Sequence, residues 1–434
     1  MGKLGEIRIT GGIPLNGQVA VQGSKNTALP MMAAALLGRG ISVLKKCPRI
    51  ADVFCMEEIL QGLGVHSWWE DHDLYLDCRK AERGKNAADG AGKMRSSVIL
   101  LGAMAGRFGE GSMGYPGGCI IGKRPIDLHL YALRCLGIDA QEGETEIRVS
   151  GHPLGGHISF PKKSVGATEQ AMLAAALSCE ETTIENCARE PEIWWLAKCL
   201  TAMGVRIQGA GTGCMHIQGR KSLKPYSMKV PPDRIVAGTY LLAGAATRGR
   251  VTLLEPPGGE LNTFLELYSK MGGQFQWNSG KLITDSQKVC FPLPYVETGC
   301  HPGFPTDLQS PLMAVLAGIP GESAVRETIF EERYGVAEEL KRMGAEITVR
   351  GDTAYISGKE ELTGASVKAG ELRGGAALVI AGLSAHGETR IAGCQYIRRG
   401  YENICEDITR LGGKAEEEAG EYLYENIRLL EKPE

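Results

Sequence analysis

The chain has no run of about 18 uninterrupted apolar residues, so no membrane-spanning helix is expected. Its start, Met1-Gly-Lys-Leu-Gly-Glu-Ile-Arg-Ile-Thr10, has no apolar signal core. No low-complexity linker divides it. The 13 cysteines are odd in number and form neither a Cys-x-x-Cys pair nor a zinc-ligand spacing. That pattern excludes a disulfide framework and fits reduced thiols in a cytoplasmic protein without a cysteine-held metal site. An excess of one charge is missing as well: 48 Lys and Arg face 51 Asp and Glu, a net charge of −3. This removes the driving force for non-specific nucleic-acid binding. Nucleic acid and membrane are therefore not expected partners, and any anionic ligand must be held by locally placed cations. No Ser-His-Asp pattern is evident.

What is present is repetition. Six amphipathic helices are closed by Leu63-Gly64, Leu136-Gly137, Met203-Gly204, Met271-Gly272, Met343-Gly344 and Leu411-Gly412, at glycine intervals of 73, 67, 68, 72 and 68 residues. A period near 70 from end to end predicts one supersecondary unit copied six times. At 434 residues the chain is too long for one ordinary core, so two domains of three units each are expected. In the fifth copy a buried helix is followed by the turn Pro320-Gly321, a strand, a polar loop, an outer helix and a hairpin with its turn at Gly351-Asp352.

The first helices of the six units, near 26–37, 96–106, 167–178, 235–247, 312–317 and 375–385, are apolar on nearly every side and so are expected to be buried. The second helices are amphipathic and lie outside. The arrangement is an inside-out α/β barrel, with helices at the centre and sheets around them. Trp194-Trp195 reads as packing on an outer helix. The glycine-rich Gly209-Ala-Gly-Thr-Gly213 reads as a hairpin turn, because no helix follows it.

Two places carry chemistry. Lys25, Arg95, Arg234 and Arg373 stand at the starts of buried helices, where a cation opposes the helix dipole. A shared bound anion would turn that cost into a gain. The loops after the central strands form the second place. They carry arginine in five of six copies, among them Arg49, Arg124, Arg189, Arg333 with its neighbour Glu331, and Arg398-Arg399. Together these suggest a cleft that clamps a polyanion, with arginine suited to bidentate phosphate or carboxylate binding. The fourth copy, Pro256-Pro-Gly-Gly-Glu260, lacks the arginine. Its loop is expected to lie farthest from any bound anion. The second loop is the longest. Cys119 follows two glycines and precedes Lys123 and Arg124, cations that favour a thiolate. It is a candidate nucleophile or general acid. His129, at a helix start, reads as a cap or a ligand contact.

The segment Pro116-Gly-Gly-Cys-Ile-Ile-Gly-Lys-Arg-Pro-Ile-Asp-Leu-His129 resembles the signature loop of the UDP-N-acetylglucosamine 1-carboxyvinyltransferases, a family of enolpyruvyl transferases. Further motifs resemble that family in the same order: Gly23-Ser-Lys-Asn26, Met94-Arg-Ser-Ser97, Ser164-Val-Gly-Ala-Thr-Glu169, Ala188-Arg-Glu-Pro-Glu192, Pro232-Asp-Arg234, Phe304-Pro-Thr-Asp-Leu-Gln309, Glu327-Thr-Ile-Phe-Glu331 and Arg399-Gly-Tyr401.

The resemblance implies two inside-out α/β domains, residues 25–232 and residues 1–24 with 233–434, with the active site in the cleft between them. It implies phosphoenolpyruvate and UDP-N-acetylglucosamine as substrates, no cofactor, and a monomer or weak homo-oligomer. Lys25, Arg124 and Arg399 match residues that hold phosphoenolpyruvate. Asn26, Arg95, Arg124, Pro125, Ile126, Asp127, Leu128, Lys162, Lys163, Ser164, Val165, Asp307 and Ile329 match sugar-nucleotide contacts, and Glu331, Arg333 and Arg373 join the expected substrate-binding set. Asp307 matches the base for the sugar 3′-hydroxyl, and Cys119 the residue that protonates the methylene carbon. The chain departs from the family in three places. Glu371-Leu372-Arg373 replaces the usual Asp-Leu-Arg, Ala51 stands where a basic residue often precedes Asp52, and Gly374-Gly375 follows Arg373. These departures leave a second reading open, a sugar-nucleotide-binding relative without activity or with altered specificity.

Overall fold

The computed structural model describes residues 5–82, 92, 94–117 and 125–418. Six central helices are buried: Lys25–Ala35, Leu100–Phe108 with a 3-10 turn Arg95–Ile99 before it, Val165–Ala175, Arg234–Ala246, Gln309–Ala317 and Leu372–Ser384. Small residues let them approach closely, and Ala33, Ala34 and Ala376 have no exposed surface. Replacing one of these alanines by leucine would overpack the centre, at about 1–3 kcal/mol. The outer helices are Ala51–Gly62, Asp127–Cys135, Pro191–Ala202, Asn262–Lys270, Val336–Arg342 and Ile404–Arg410. Each ends as the sequence period requires. Gly64, Gly137, Gly204, Gly272, Gly344 and Gly412 all adopt positive φ, the left-handed stop that a side chain resists.

Each unit folds its strands into a small sheet. Among the described residues five sheets have four strands and one has three. In the first unit Ile41–Lys45 pairs antiparallel with Asp73–Asp77, which pairs antiparallel with His66–Glu70. Alternation places Leu74 and Leu76 inward with no exposure. The fourth strand joins in parallel from elsewhere in the chain: Ser227–Lys229 beside Ile41–Lys45, and Asn16–Ala20 beside Arg250–Leu254. The glycine-rich segment 209–213 is a turn between Arg206–Gln208 and Cys214–Gln218.

Two hydrophobic cores result. One runs from Ala28 to Val230. The other combines Ile7, Ile9, Leu15 and Val19 with residues from Ile235 to Ala415. The chain therefore starts in the second half, crosses to the first near residues 21–25, and returns near 230–234. No helix among the described residues is long and apolar enough to cross a membrane.

Candidate active site

The two crossings lie side by side. Gly23 and Pro232 form an antiparallel bridge. Ser24 N donates to Pro231 O at 2.7 Å and Asp233 N to Gln22 O at 2.9 Å. Only glycine fits at 23, because a Cβ there would stand 2.3 Å from Lys46 O. Buried helices then start from both crossings, and one side chain serves both starts. Asp233 accepts from Ile235 N at 2.8 Å and Val236 N at 3.1 Å, capping its own helix, and from Lys25 N at 3.0 Å on the other.

Lys25 is thereby aimed between the halves, where it meets Asp52 and Arg399. Asp52 accepts from Lys25 Nζ at 3.2 Å and from Arg399 Nε at 2.7 Å. Asp52 is 3% exposed. Burial would push its carboxyl up, but Lys25 and Arg399 outweigh burial and hold it below the ordinary value. Lys25 and Asp52 belong to the first half and Arg399 to the second, so one carboxylate gathers two cations across the divide. Neighbouring hydrogen bonds from main-chain donors keep the halves in register there, Ala51 N to the Arg398 carbonyl at 3.0 Å and Arg49 N to the Glu402 side-chain Oε1 at 2.6 Å.

The second cluster is built on Asp307. It lies in the 3-10 turn Thr306–Leu308 that opens a buried helix. Asp307 Oδ1 accepts from Arg333 Nη2 at 2.6 Å and Oδ2 from Arg373 Nη2 at 2.9 Å. Both guanidinia are 3% exposed, while the Asp307 side chain is 24% exposed, so the carboxylate is the group in reach of a ligand. Burial alone would raise the Asp307 carboxyl. Arg373 and Arg333, with Lys25 beyond them, hold it well below the carboxylate range. Behind Asp307, Thr306 Oγ1 accepts from Arg333 Nη1 at 2.8 Å and donates to Glu327 Oε2 at 2.7 Å. Glu371 caps the helix that carries Arg373, accepting from Arg373 N at 2.7 Å and from Gly374 N.

A third group is Arg95, whose Nη2 donates to Pro125 O at 3.0 Å. The remaining expected contacts are spread around these groups. Asn26 is half-buried beside Lys25, Ser164 caps its helix by accepting from Ala167 N, and Val165 follows half-buried. Lys162, Lys163, Pro125, Asp127 and Glu331 are exposed. Ile126 and Leu128 are 6% and 8% exposed, so a ligand would meet them through their main chain, whereas Ile329 is 37% exposed. Cys119, Lys123 and Arg124 lie outside the described residues.

Several sequence expectations need correction. Among the described residues the loop arginines do not all converge on one cleft. Arg49 lies over the Trp69 ring at 4.9 Å and donates to Asp71 O, Arg189 donates to Gly211 O, and Arg398 pairs with Glu417. Of the described loop arginines only Arg333 and Arg399 reach the two carboxylate clusters. Three of the four helix-start cations already have a carboxylate partner within the protein. Lys25 has Asp52, Arg373 has Asp307, and Arg234 holds Glu192 across the halves at 3.1 Å. Trp195 does more than pack on its helix: its Nε1 donates to Glu260 Oε1 at 3.2 Å, so the arginine-free fourth loop is a bridge between the halves. His129 is buried, and its Nδ1 lies 2.8 Å from Gln170 Oε1. Sequence reasoning misses Asp52, Thr306 and Glu327, although each stands in or beside a segment that carries a motif. A polar residue at a helix start or a strand end reads as a cap or a solvated side chain until its partner is visible.

A repeated inside-out α/β fold with cations and carboxylates gathered between its halves defines an enolpyruvyl transferase architecture. Solved structures share it. The enolpyruvyl transferase NikO from Streptomyces tendae superposes with a TM-score of 0.84 at 24% identity, covering 96% of this chain and 99% of that one. EPSP synthase from Acinetobacter baumannii does so with a TM-score of 0.72 at 18% identity, covering 96% and 100%. The family model for EPSP synthase (3-phosphoshikimate 1-carboxyvinyltransferase) matches residues 9–408. Two relatives are far closer in sequence. UDP-N-acetylglucosamine 1-carboxyvinyltransferase 2 of Caldanaerobacter subterraneus subsp. tengcongensis is 42% identical over 94% of this chain and 98% of its own length. UDP-N-acetylglucosamine 1-carboxyvinyltransferase of Azorhizobium caulinodans is 43% identical over 96% of this chain and its full length. The chain belongs to the enolpyruvyl transferase family.

Proposed function

We propose that this chain transfers the enolpyruvyl group of phosphoenolpyruvate to the 3′-hydroxyl of UDP-N-acetylglucosamine, releasing phosphate, the first committed step of peptidoglycan synthesis. The observation that carries the reading is identity above 40% over essentially whole chains to two enzymes of that name. The site chemistry supports it. Lys25 and Arg399, with Arg124, are our candidates for holding phosphoenolpyruvate, whose phosphate and carboxylate need several cations at once. Arg95, Asn26 and the segments 124–128 and 162–165 are our candidates for the sugar nucleotide.

In the reaction the sugar 3′-oxygen bonds to C2 of phosphoenolpyruvate as the methylene carbon takes a proton. The hydroxyl proton passes to a base. The resulting tetrahedral adduct then loses a methyl proton and expels phosphate, which restores the double bond. We assign Asp307 as the base. Arg333 and Arg373 keep its carboxylate ionised and facing the open side, and a positioned acceptor is what proton transfer requires. Cys119 is assigned as the acid over the methylene. We read the two hydrophobic cores as domains of residues 25–232 and 1–24 with 233–434, which close over the site. A monomer or weak oligomer in the cytoplasm fits a site built within one chain. The reading of an inactive relative gains nothing from Glu371, whose carboxylate is engaged at the start of its own helix.

Phosphate release from phosphoenolpyruvate, with and without UDP-N-acetylglucosamine, tests the proposal. Release should depend on the acceptor and should vanish in Cys119→Ala and Asp307→Ala. No acceptor-dependent release from the parent chain would refute the function.

A further inference from the structure

We propose that Thr306 and Glu327 are positioning residues for Asp307: they fix the Arg333 guanidinium against it and so set how the carboxylate faces the acceptor hydroxyl. The inference rests on the assignment of Asp307 as the base.

The argument starts from the donors of Arg333. Nη2 goes to Asp307 Oδ1 at 2.6 Å and Nη1 to Thr306 Oγ1 at 2.8 Å, while the buried Nε has no hydrogen-bond partner among the described residues. Thr306 is thus the anchor that fixes the rotation of the guanidinium about its contact with Asp307. A hydroxyl has one proton to give, and Thr306 gives it to Glu327 Oε2 at 2.7 Å. The lone pair that Arg333 needs is then always presented to it.

Glu327, itself 3% exposed, is held in turn from its other oxygen. Oε1 accepts from Ile329 N at 2.8 Å and Phe330 N at 3.1 Å. That carboxylate therefore ties three things together: the Thr306 hydroxyl, the main chain at Ile329, and Phe330, whose ring lies 5.1 Å from Arg333 Cζ. The relay Glu327–Thr306–Arg333–Asp307 runs inward from the end of strand Gly321–Arg326 to the opening of helix Gln309–Ala317. Arg373 grips the opposite oxygen of Asp307 from a third element. The charged groups acting on Asp307 are Arg373, Arg333, Lys25 and Arg234. Of these only Arg333 depends on Thr306 for its orientation.

Thr306→Val keeps the shape and removes both hydrogen bonds, and Thr306→Ser restores the hydroxyl. In the full chain Thr306→Val should lose roughly tenfold in kcat for acceptor-dependent phosphate release, the scale of one hydrogen bond to a charged group. KM for phosphoenolpyruvate should stay within about twofold, because Lys25 and Arg399 are untouched. The acid limb of the rate profile should move to higher pH, since Asp307 loses the hold of one guanidinium. Thr306→Ser should recover both rate and profile. Glu327→Gln, which offers Thr306 an amide N–H where an acceptor stood, should shift both in the same direction and carries the test if Thr306→Val does not fold. A folded Thr306→Val with the parent rate and profile overturns the inference. Asp307→Asn separates the two ideas. If it keeps the parent rate, the base assignment itself fails. If it is inactive while Thr306→Val matches the parent, only the positioning role fails.

Discussion

Asp52 makes the sharpest test of how the halves are joined. Its carboxylate lies between Lys25 Nζ and Arg399 Nε, with side-chain exposures of 5%, 13% and 17% for the three residues. Asp52→Asn keeps the size and removes the charge, leaving two nearly buried cations facing each other without the carboxylate between them. Removing one partner from a buried ion pair costs about 3–5 kcal/mol. The lower end, about 3 kcal/mol, applies because both cations sit on long side chains that keep some access to water. The assay is equilibrium urea unfolding at low ionic strength, since guanidinium would screen the effect being measured.

The pH dependence has a fixed sign. Asp52 has a folded-state value below its ordinary 3.8, so its contribution is complete above about pH 4 and is lost as pH falls through the depressed value. The parent–variant gap should be flat from about pH 5 to 8 and close in acid. Inorganic phosphate supplies the missing anion. A ligand at 100 times its Kd adds about 2.7 kcal/mol, and phosphate should stabilise Asp52→Asn more than the parent, where the carboxylate competes for the same cations. A gap under about 1 kcal/mol, or equal stabilisation of both proteins by phosphate, would refute the reasoning.

Three further outcomes follow from the same geometry. Arg234 is committed to Glu192 with side-chain exposures of 12% and 5%, so Arg234→Ala should cost about 3 kcal/mol in unfolding free energy while KM for phosphoenolpyruvate changes less than about threefold; a large KM effect on an unchanged stability would return Arg234 to the anion site. Asp407 is pushed up to about 6 by burial, which outweighs the lowering hydrogen bond from the Tyr240 hydroxyl, and the stability of its protonated form is lost as pH rises through that value. Asp407→Asn should therefore gain about 1.4 kcal/mol on the parent between pH 5 and 7.5, and a pH-independent difference in melting would contradict this. Gly344 and Gly335 both have open space where the methyl group of an alanine would stand, but Gly344 has φ +91° and Gly335 φ −55°. Gly344→Ala should cost about 1–2 kcal/mol and Gly335→Ala within about 0.5 of zero in thermal unfolding; equal effects would remove backbone handedness as the reason for the repeat.

The repeat is readable because its constraint is local. A glycine closing each outer helix must adopt positive φ whatever surrounds it, so six copies leave six marks in the sequence. Burial of the central helices is readable for a related reason: a helix apolar on all sides has nowhere else to go. The electrostatics of the candidate site are not readable, because each cation's partner lies far along the chain. Lys25 shows as an unfavourable charge at a helix start, and nothing near it says that Asp52 relieves the cost and that Arg399 shares the same carboxylate. Arg49 and Arg399 look alike in loops of equivalent position. One lies over Trp69 and the other crosses to the opposite half, a choice made by tertiary packing alone. The same distinction explains why the anion-cleft reading overreaches. Counting arginines at one structural position assumes a common direction, whereas copies of a unit point outward around each half and only the loops facing the divide can meet. The arginine-free fourth loop faces the divide too, and it joins the halves through Glu260 and Trp195. A repeated fold thus supplies many equivalent loops. The ones that become a site are selected by where the chain crosses between its halves, here beside Gly23 and Pro232, where Lys25 and Asp233 begin two buried helices within a hydrogen bond of each other.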